Sequence, residues 1–147
     1  METIQETQKT KKEFSKIDFK ESKYATGRRK KSIARVWLKR GSGNFYVNDK
    51  KMSDYFKKTN LQIYLLRAFA LANIENQFDV RCFVKGGGLT GQAGAIVHGV
   101  SRAIVQYQPD LKPTLKKEKL TTRDSRAVER KKYGRRKARR SFQFSKR

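Results

Sequence analysis

The chain holds a single cysteine, a single histidine and 13 acidic residues in 147. One cysteine, Cys82, excludes an intrachain disulfide. One histidine beside one cysteine cannot assemble a zinc site, so no metal centre is expected. No stretch approaches the roughly 18 apolar residues of a membrane span, so no membrane partner is expected. Five of the acidic residues fall by position 21, against the acid-poor pattern of a transit peptide. The chain is therefore expected in the cytosol, or made inside the compartment where it works. Paired catalytic groups are also missing. His98 stands alone, Asp79, Asp110, Asp124 and Glu129 show no paired spacing, and no serine sits in a nucleophile elbow. The sequence gives no reason to expect an enzyme or a cofactor.

Positive charge is what the chain has in excess: 37 basic residues and a formal net charge of +24. Its distribution matters more than its size. Residues 1–22 are neutral overall and residues 61–108 nearly so. Residues 23–60 and 112–147 carry most of the lysines and arginines. Solubility of a small domain needs a net charge of only about 2–8. Two basic arms flanking a neutral centre instead suit a polyanion, whose condensed counterions are released as phosphates are neutralised. The last stretch, Tyr133 to Arg147, has no acidic residue and too few apolar ones to build a core. It is expected to order only against nucleic acid.

Three regions follow: an N-terminal extension over 1–22, expected to be mobile; a globular α+β core over 23–110; and a basic C-terminal extension and tail over 111–147. Within the core, Ala34, Val36 and Leu38 alternate with Arg35, Trp37 and Lys39, which predicts a half-buried strand. Gly41-Ser42-Gly43-Asn44 has the composition of a hairpin turn leading to a return strand at Phe45-Tyr46-Val47. Leu61, Leu65, Ala68 and Ala72 predict a helix. Phe78, Val80, Cys82 and Val84 predict a second alternating strand with Cys82 as a small core residue. Ala93, Val97, Val100, Ile104 and Tyr107 form the inner face of a helix over about 92–107. Pro109 and Pro113 are expected to end regular structure, and Leu120 to Lys132 to form a short helix.

Gly86, Gly88 and Gly91 match G-x-G-x-x-G between a strand and a helix. The rest of a dinucleotide fingerprint is missing, because no strand follows the helix at Tyr107. Two compatible readings stay open. The glycines permit a tight turn with positive φ, and they bare backbone N–H groups at a helix start, where a phosphate can bind.

Gly86-Gly87-Gly88-Leu89-Thr90-Gly91-Gln92-Ala93-Gly94-Ala95, continuing through Gly99-Val100-Ser101-Arg102-Ala103-Ile104, resembles the signature of the family of the ninth protein of the small ribosomal subunit, in its bacterial or organellar form. Tyr24 to Val36, with Thr26-Gly27-Arg28-Arg29-Lys30-Lys31-Ser32 at its centre, resembles that family's opening strand. Leu120-Thr121-Thr122-Arg123-Asp124, Glu129 to Gly134 and the final Ser145-Lys146-Arg147 resemble its C-terminal part. The match covers about residues 23–147.

The resemblance implies a βαβ domain similar to the second domain of the fifth small-subunit protein, with a left-handed crossover. It implies a structural constituent of the ribosome, bacterial-cytoplasmic or organellar, seated in the head of the small subunit. Its partners would be the 3′ major domain of the rRNA, neighbouring head proteins and the anticodon stem-loop of P-site tRNA. Carried over by position, Arg28, Arg29, Lys30 and Lys31 would meet rRNA, as would Gly86, Gly87 and Gly88. So would Arg123, Arg126, Arg130, Lys131 and Lys132, then Arg135, Arg136, Lys137, Arg139 and Arg140 of the tail. Lys146 and Arg147 would meet tRNA. The rival readings from the residues alone are a free-standing RNA chaperone or DNA-binding protein, and a nucleotide-dependent enzyme built on the glycine loop.

Overall fold

A computed structural model describes residues 21–146 of the chain. Most of the extension expected over 1–22, and Arg147, lie outside the described residues.

Strands β1 (Lys23–Arg29) and β2 (Ser32–Arg40) pair antiparallel, from Lys23 opposite Leu38 to Arg29 opposite Ser32. Lys30 and Lys31 alone make the turn, with Lys30 at φ 51°, a left-handed conformation that a lysine adopts at a cost. The chain continues through β3 (Phe45–Val47), β4 (Lys50–Lys51) and two helices, α1 (Met52–Tyr55) and α2 (Thr59–Ala72). Asn73, left-handed at φ 53°, ends α2; its N–H reaches the Ala70 carbonyl, and the N–H of Ile74 reaches that of Phe69. Strand β5 (Phe78–Lys85) and helix α3 (Leu89–Tyr107) follow, then a 3₁₀ turn at Pro109–Leu111 and a short α4 (Lys112–Lys117).

The sheet order is β1-β2-β5-β3-β4. The fold is therefore α+β, a five-stranded mixed sheet whose long described helices pack on one face. The return strand is not the partner of β2. Strand β5 inserts between them, antiparallel to β2 and parallel to β3, so β3-α2-β5 is a βαβ unit. The turn-like segment Gly41–Asn44 is held from β5 instead: Asp79 Oδ1 accepts from the amides of Ser42 (3.1 Å) and Asn44 (2.8 Å).

The predicted inner faces are buried. Ala34, Val36 and Leu38 of β2 meet Val80, Cys82 and Val84 of β5 beneath α3, which buries Ala93, Val97, Val100 and Ile104. Helix α3 can lie this close because glycines face each other where it crosses β1. A Cβ on Gly27 would overlap the backbone of Ala95 and Gly99, and one on Gly99 would stand 2.7 Å from Val36 Cγ2. Cys82 is buried and donates to the Tyr46 carbonyl at 3.3 Å; burial raises its thiol pKa far above the ordinary range.

Two local expectations are corrected. Helix α3 ends at Tyr107, before Pro109 as expected, but helical structure resumes at both prolines. Each stands in the first turn of a short helical element, where a missing N–H costs nothing, and Leu115 and Leu120 are buried in the core. The helix expected over 120–132 does not form. Lys119 turns left-handed at φ 57°, and Asp124 binds the backbone amide of Arg126 at 2.9 Å in a local turn that competes with helix.

Candidate nucleic-acid interface

The β1–β2 turn puts four consecutive cations, Arg28, Arg29, Lys30 and Lys31, at one hairpin tip. Beside it lies the loop that joins β5 to α3. Gly86 and Gly87 have φ of +75° and +63°, whereas Gly88 is extended at φ −112° and caps α3. The positive-φ reading thus holds for two of the three loop glycines. Gly88 is ordinary backbone, and a Cβ there would meet nothing within 4 Å.

The tip and the loop touch. A Cβ on Gly86 would stand 2.5 Å from the Lys31 carbonyl, and one on Gly87 would overlap the Ser32 hydroxyl. Ser32 is fully buried, and its Oγ donates to the Gly86 carbonyl at 3.0 Å. Gln92 Nε2 donates to the same carbonyl at 3.2 Å, and Tyr55 Oη donates to Gln92 Oε1 at 2.8 Å. Asn48 extends the support, with Nδ2 on the Val84 carbonyl (3.1 Å) and Oδ1 accepting from the Val84 amide (2.8 Å). A cleft of about 550 Å³ opens here, walled by Lys30, Lys31, the glycine loop, the first turn of α3 and Ala127-Val128 of the C-terminal arm. Cations and the N-terminal end of a 19-residue helix share this cleft, an arrangement that favours anions.

The C-terminal arm folds back along the other side of the hairpin tip. Asp124 pairs with Arg29 of β1 and with Arg126 (2.7 Å). Glu118 pairs with Arg67 of α2 at 2.7 Å. A second cleft of about 480 Å³ is bounded by Arg28, Arg29, Arg67, His98, Arg123 and Arg126, among others. His98 accepts a hydrogen bond from the Arg28 amide at 3.2 Å. Its pKa is lowered, by burial first and by the Arg102 charge second.

Of the residues proposed from the sequence, Arg28–Lys31, Gly86–Gly88, Arg123 and Arg126 are brought together on one side of the core. Arg130, Lys131 and Lys132 line a separate, open surface with Arg135 and Phe142. Arg139 pairs with Glu129 at 2.7 Å, lowering the carboxyl pKa, and Arg135 Nη1 donates to the Arg139 carbonyl at 2.8 Å. Arg136 packs over Phe142, 5.4 Å from the ring centre. Lys137, Arg140 and Lys146 are exposed. Val128, Tyr133 and Phe144 are almost wholly exposed too, so these apolar side chains join no core.

Sequence reading missed the supports behind the interface: Ser32, Asn48, Tyr55 and Gln92 under the glycine loop, and Asp124 between Arg29 and Arg126. Polar residues scattered over three elements and two connecting segments carry no local signal of convergence. No described helix is long and apolar enough to cross a membrane. Among proteins of known families, the family model described as Ribosomal protein S9/S16 matches residues 27–147.

Proposed function

The chain belongs to the ribosomal protein S9/S16 family, structural proteins of the small ribosomal subunit that bind its rRNA, and from that premise we propose that this protein sits in the subunit head. Its hairpin tip, glycine loop and proximal C-terminal arm hold the 3′ major domain of the rRNA. Its distal tail reaches P-site tRNA. The observation that carries the reading is the convergence of Arg28–Lys31 on the Gly86–Gly88 loop at the start of α3. A phosphate seated there would accept from helix N-terminal amides while lysines and arginines balance its charge. Arg123 and Arg126 extend the same surface, and Arg130–Lys132 with Arg135–Arg140 supply further cations along the tail.

The fold reading goes with it. The β3-α2-β5 unit suits a domain similar to the second domain of the fifth small-subunit protein, with a left-handed crossover. The terminal Lys146 and Arg147 follow the last anchoring cations and are assigned to the tRNA anticodon stem-loop. The ribosome concerned is bacterial or organellar, and neighbouring head proteins complete the partners.

Reconstitution of small subunits with and without the chain tests the reading. Protection of head rRNA from chemical probes should appear only when the chain is present, and it should fade when Arg28–Lys31 are replaced by glutamine. A chain that sediments free of small subunits, or protects no head nucleotide, would overturn it.

A further inference from the structure

The face of the sheet turned away from the helices is also built for a ligand. Its residues are fixed by strand register. Arg28, Ile33 and Lys85 form one cross-strand row; Thr26, Arg35 and Phe83 the next; Tyr24, Trp37 and Arg81 the third. On β2 and β5, Arg35 stands beside Phe83 and Trp37 beside Arg81, so arginine and aromatic alternate across and along these two strands, and Tyr24 adds a third ring. The Arg35 guanidinium lies 5.0 Å from the centre of the Trp37 ring, and that of Arg81 lies 5.0 Å from that of Phe83. Trp37 and Phe83 meet edge to face at 5.7 Å, and Tyr24 joins Trp37 at 5.2 Å. Arg35, Arg28 and Lys85 are exposed, as is Tyr24; Trp37 and Phe83 are half-exposed. Among the described residues the nearby carboxylate is Asp79, and its Oδ1 is engaged by the loop amides of Ser42 and Asn44.

We propose that this face, which bears none of the described helices, is a second RNA surface, one that takes unpaired nucleotides by stacking bases on Trp37 and Phe83 and meeting phosphates with Arg35, Arg28 and Lys85. It goes beyond the interface described above, which lies at the hairpin tip and the helix start and meets phosphate. Aromatic rings on a flat sheet give a π-face to any base, and flanking guanidiniums add charge and stacking of their own. A continuous duplex keeps its bases stacked inside, so only loops, bulges or ends can use such rings. Arg28, Arg35 and Lys85 are exposed and share their rows with no carboxylate among the described residues, which suits a polyanion. Arg28 belongs to both surfaces and makes them continuous around the edge of β1.

Trp37 is the sole tryptophan of the chain, so its emission reports this face alone. The full-length protein is titrated with a short oligouridylate and with a blunt RNA duplex, and binding of each is followed in parallel by mobility shift. The oligouridylate should quench Trp37 saturably and the duplex should not. Phe83→Leu, which keeps apolar volume, and Arg35→Gln, at an exposed position, should each weaken the quenching affinity by about tenfold. Unchanged emission while the mobility shift shows bound oligonucleotide would overturn the proposal and leave rRNA binding by the other surface intact. Equal quenching by the duplex, or quenching indifferent to both substitutions, would overturn it as well. So would quenching that appears only after deletion of residues 1–20, which would mark this face as the docking site of the chain's own N-terminal segment. Absence of any shift with rRNA would instead count against the function proposed above.

Discussion

The backbone amide of Arg28 donates to Nδ1 of His98 across 3.2 Å, tying the cationic end of β1 to the middle of α3. The imidazole can accept this bond only while Nδ1 is unprotonated. Burial and the positive charges of Arg102 and Arg123 favour the neutral ring, and a backbone hydrogen bond with Thr121 opposes them only in part.

A pH dependence follows. The folded pKa of His98 lies below its unfolded value of 6.5. Between the two values the unfolded chain binds more protons, so stability rises with pH there. The contribution is fully present above the unfolded value and is lost as pH falls through the folded one. Urea unfolding of the wild-type chain should show a midpoint that drops from about pH 7 to about pH 5, above the range where carboxylates titrate. His98→Gln should flatten that slope. An equal slope in both proteins would refute the assignment.

The contact of Gly27 with Gly99 sets a second expectation. Gly99→Ala puts a methyl 2.7 Å from Val36 Cγ2 and 3.2 Å from the Gly27 amide. Backbone on one side and a buried side chain on the other leave it little room. Overpacking of this kind costs about 1–3 kcal/mol, and backbone contact argues for the upper end. Thermal unfolding should show a midpoint lowered by on the order of 10 °C, with Gly27→Ala at least as damaging. A variant that melts like the wild type would mean that α3 does not lie this close to β1.

The glycine loop separates fold from binding. Gly87 is left-handed, and a side chain there would run into Ser32, so Gly87→Val should lower stability by more than the ~1–2 kcal/mol of the backbone conformation alone. Gly88 has ordinary φ and open space around it. Gly88→Val should therefore melt nearly as the wild type does, while blocking the approach of a phosphate to the start of α3. Circular dichroism melts paired with filter binding to head rRNA check both variants. Undiminished rRNA binding by folded Gly88→Val would remove the loop from the interface.

These positions also show what can be read from a sequence. The inner faces of β2, β5 and α3 were legible because local period and burial coincide: Val97 and Ile104 point inward for the same reason that they recur at helical spacing. The β2–β3 hairpin was not, since Gly41–Asn44 has turn chemistry whether or not its flanking strands pair. Insertion of β5 is a non-local event. The real turn at Lys30-Lys31 lacks glycine, asparagine and proline altogether. Of the candidate site, the cationic runs were plain in composition, and the loop was plain in its glycines. Their meeting depends on sheet order and on Ser32, whose buried hydroxyl looks like any other serine in the sequence.

The tail gives the last expectation. Removing Lys146 and Arg147 should leave subunit assembly nearly intact and weaken P-site tRNA binding. The five cations from Arg135 to Arg140 remain to hold rRNA, so two lost charges matter little for assembly. Beyond Arg140 the chain runs Ser-Phe-Gln-Phe-Ser before Lys146. These five residues span at most about 17 Å when extended, enough to carry the terminal cations from the anchor to a second ligand. Phe142 is tied back to Arg136, while Phe144 joins no core. Charge-assisted hydrogen bonds are worth roughly 1.5–3 kcal/mol each and exposed ones less. Loss of two should therefore reduce tRNA affinity by about 1–2 kcal/mol, roughly five- to thirtyfold. Subunits reconstituted with truncated and intact chain are titrated with tRNA at fixed magnesium. Assembly that fails on truncation would place these two residues in rRNA, and equal P-site affinity would show that they do not touch tRNA.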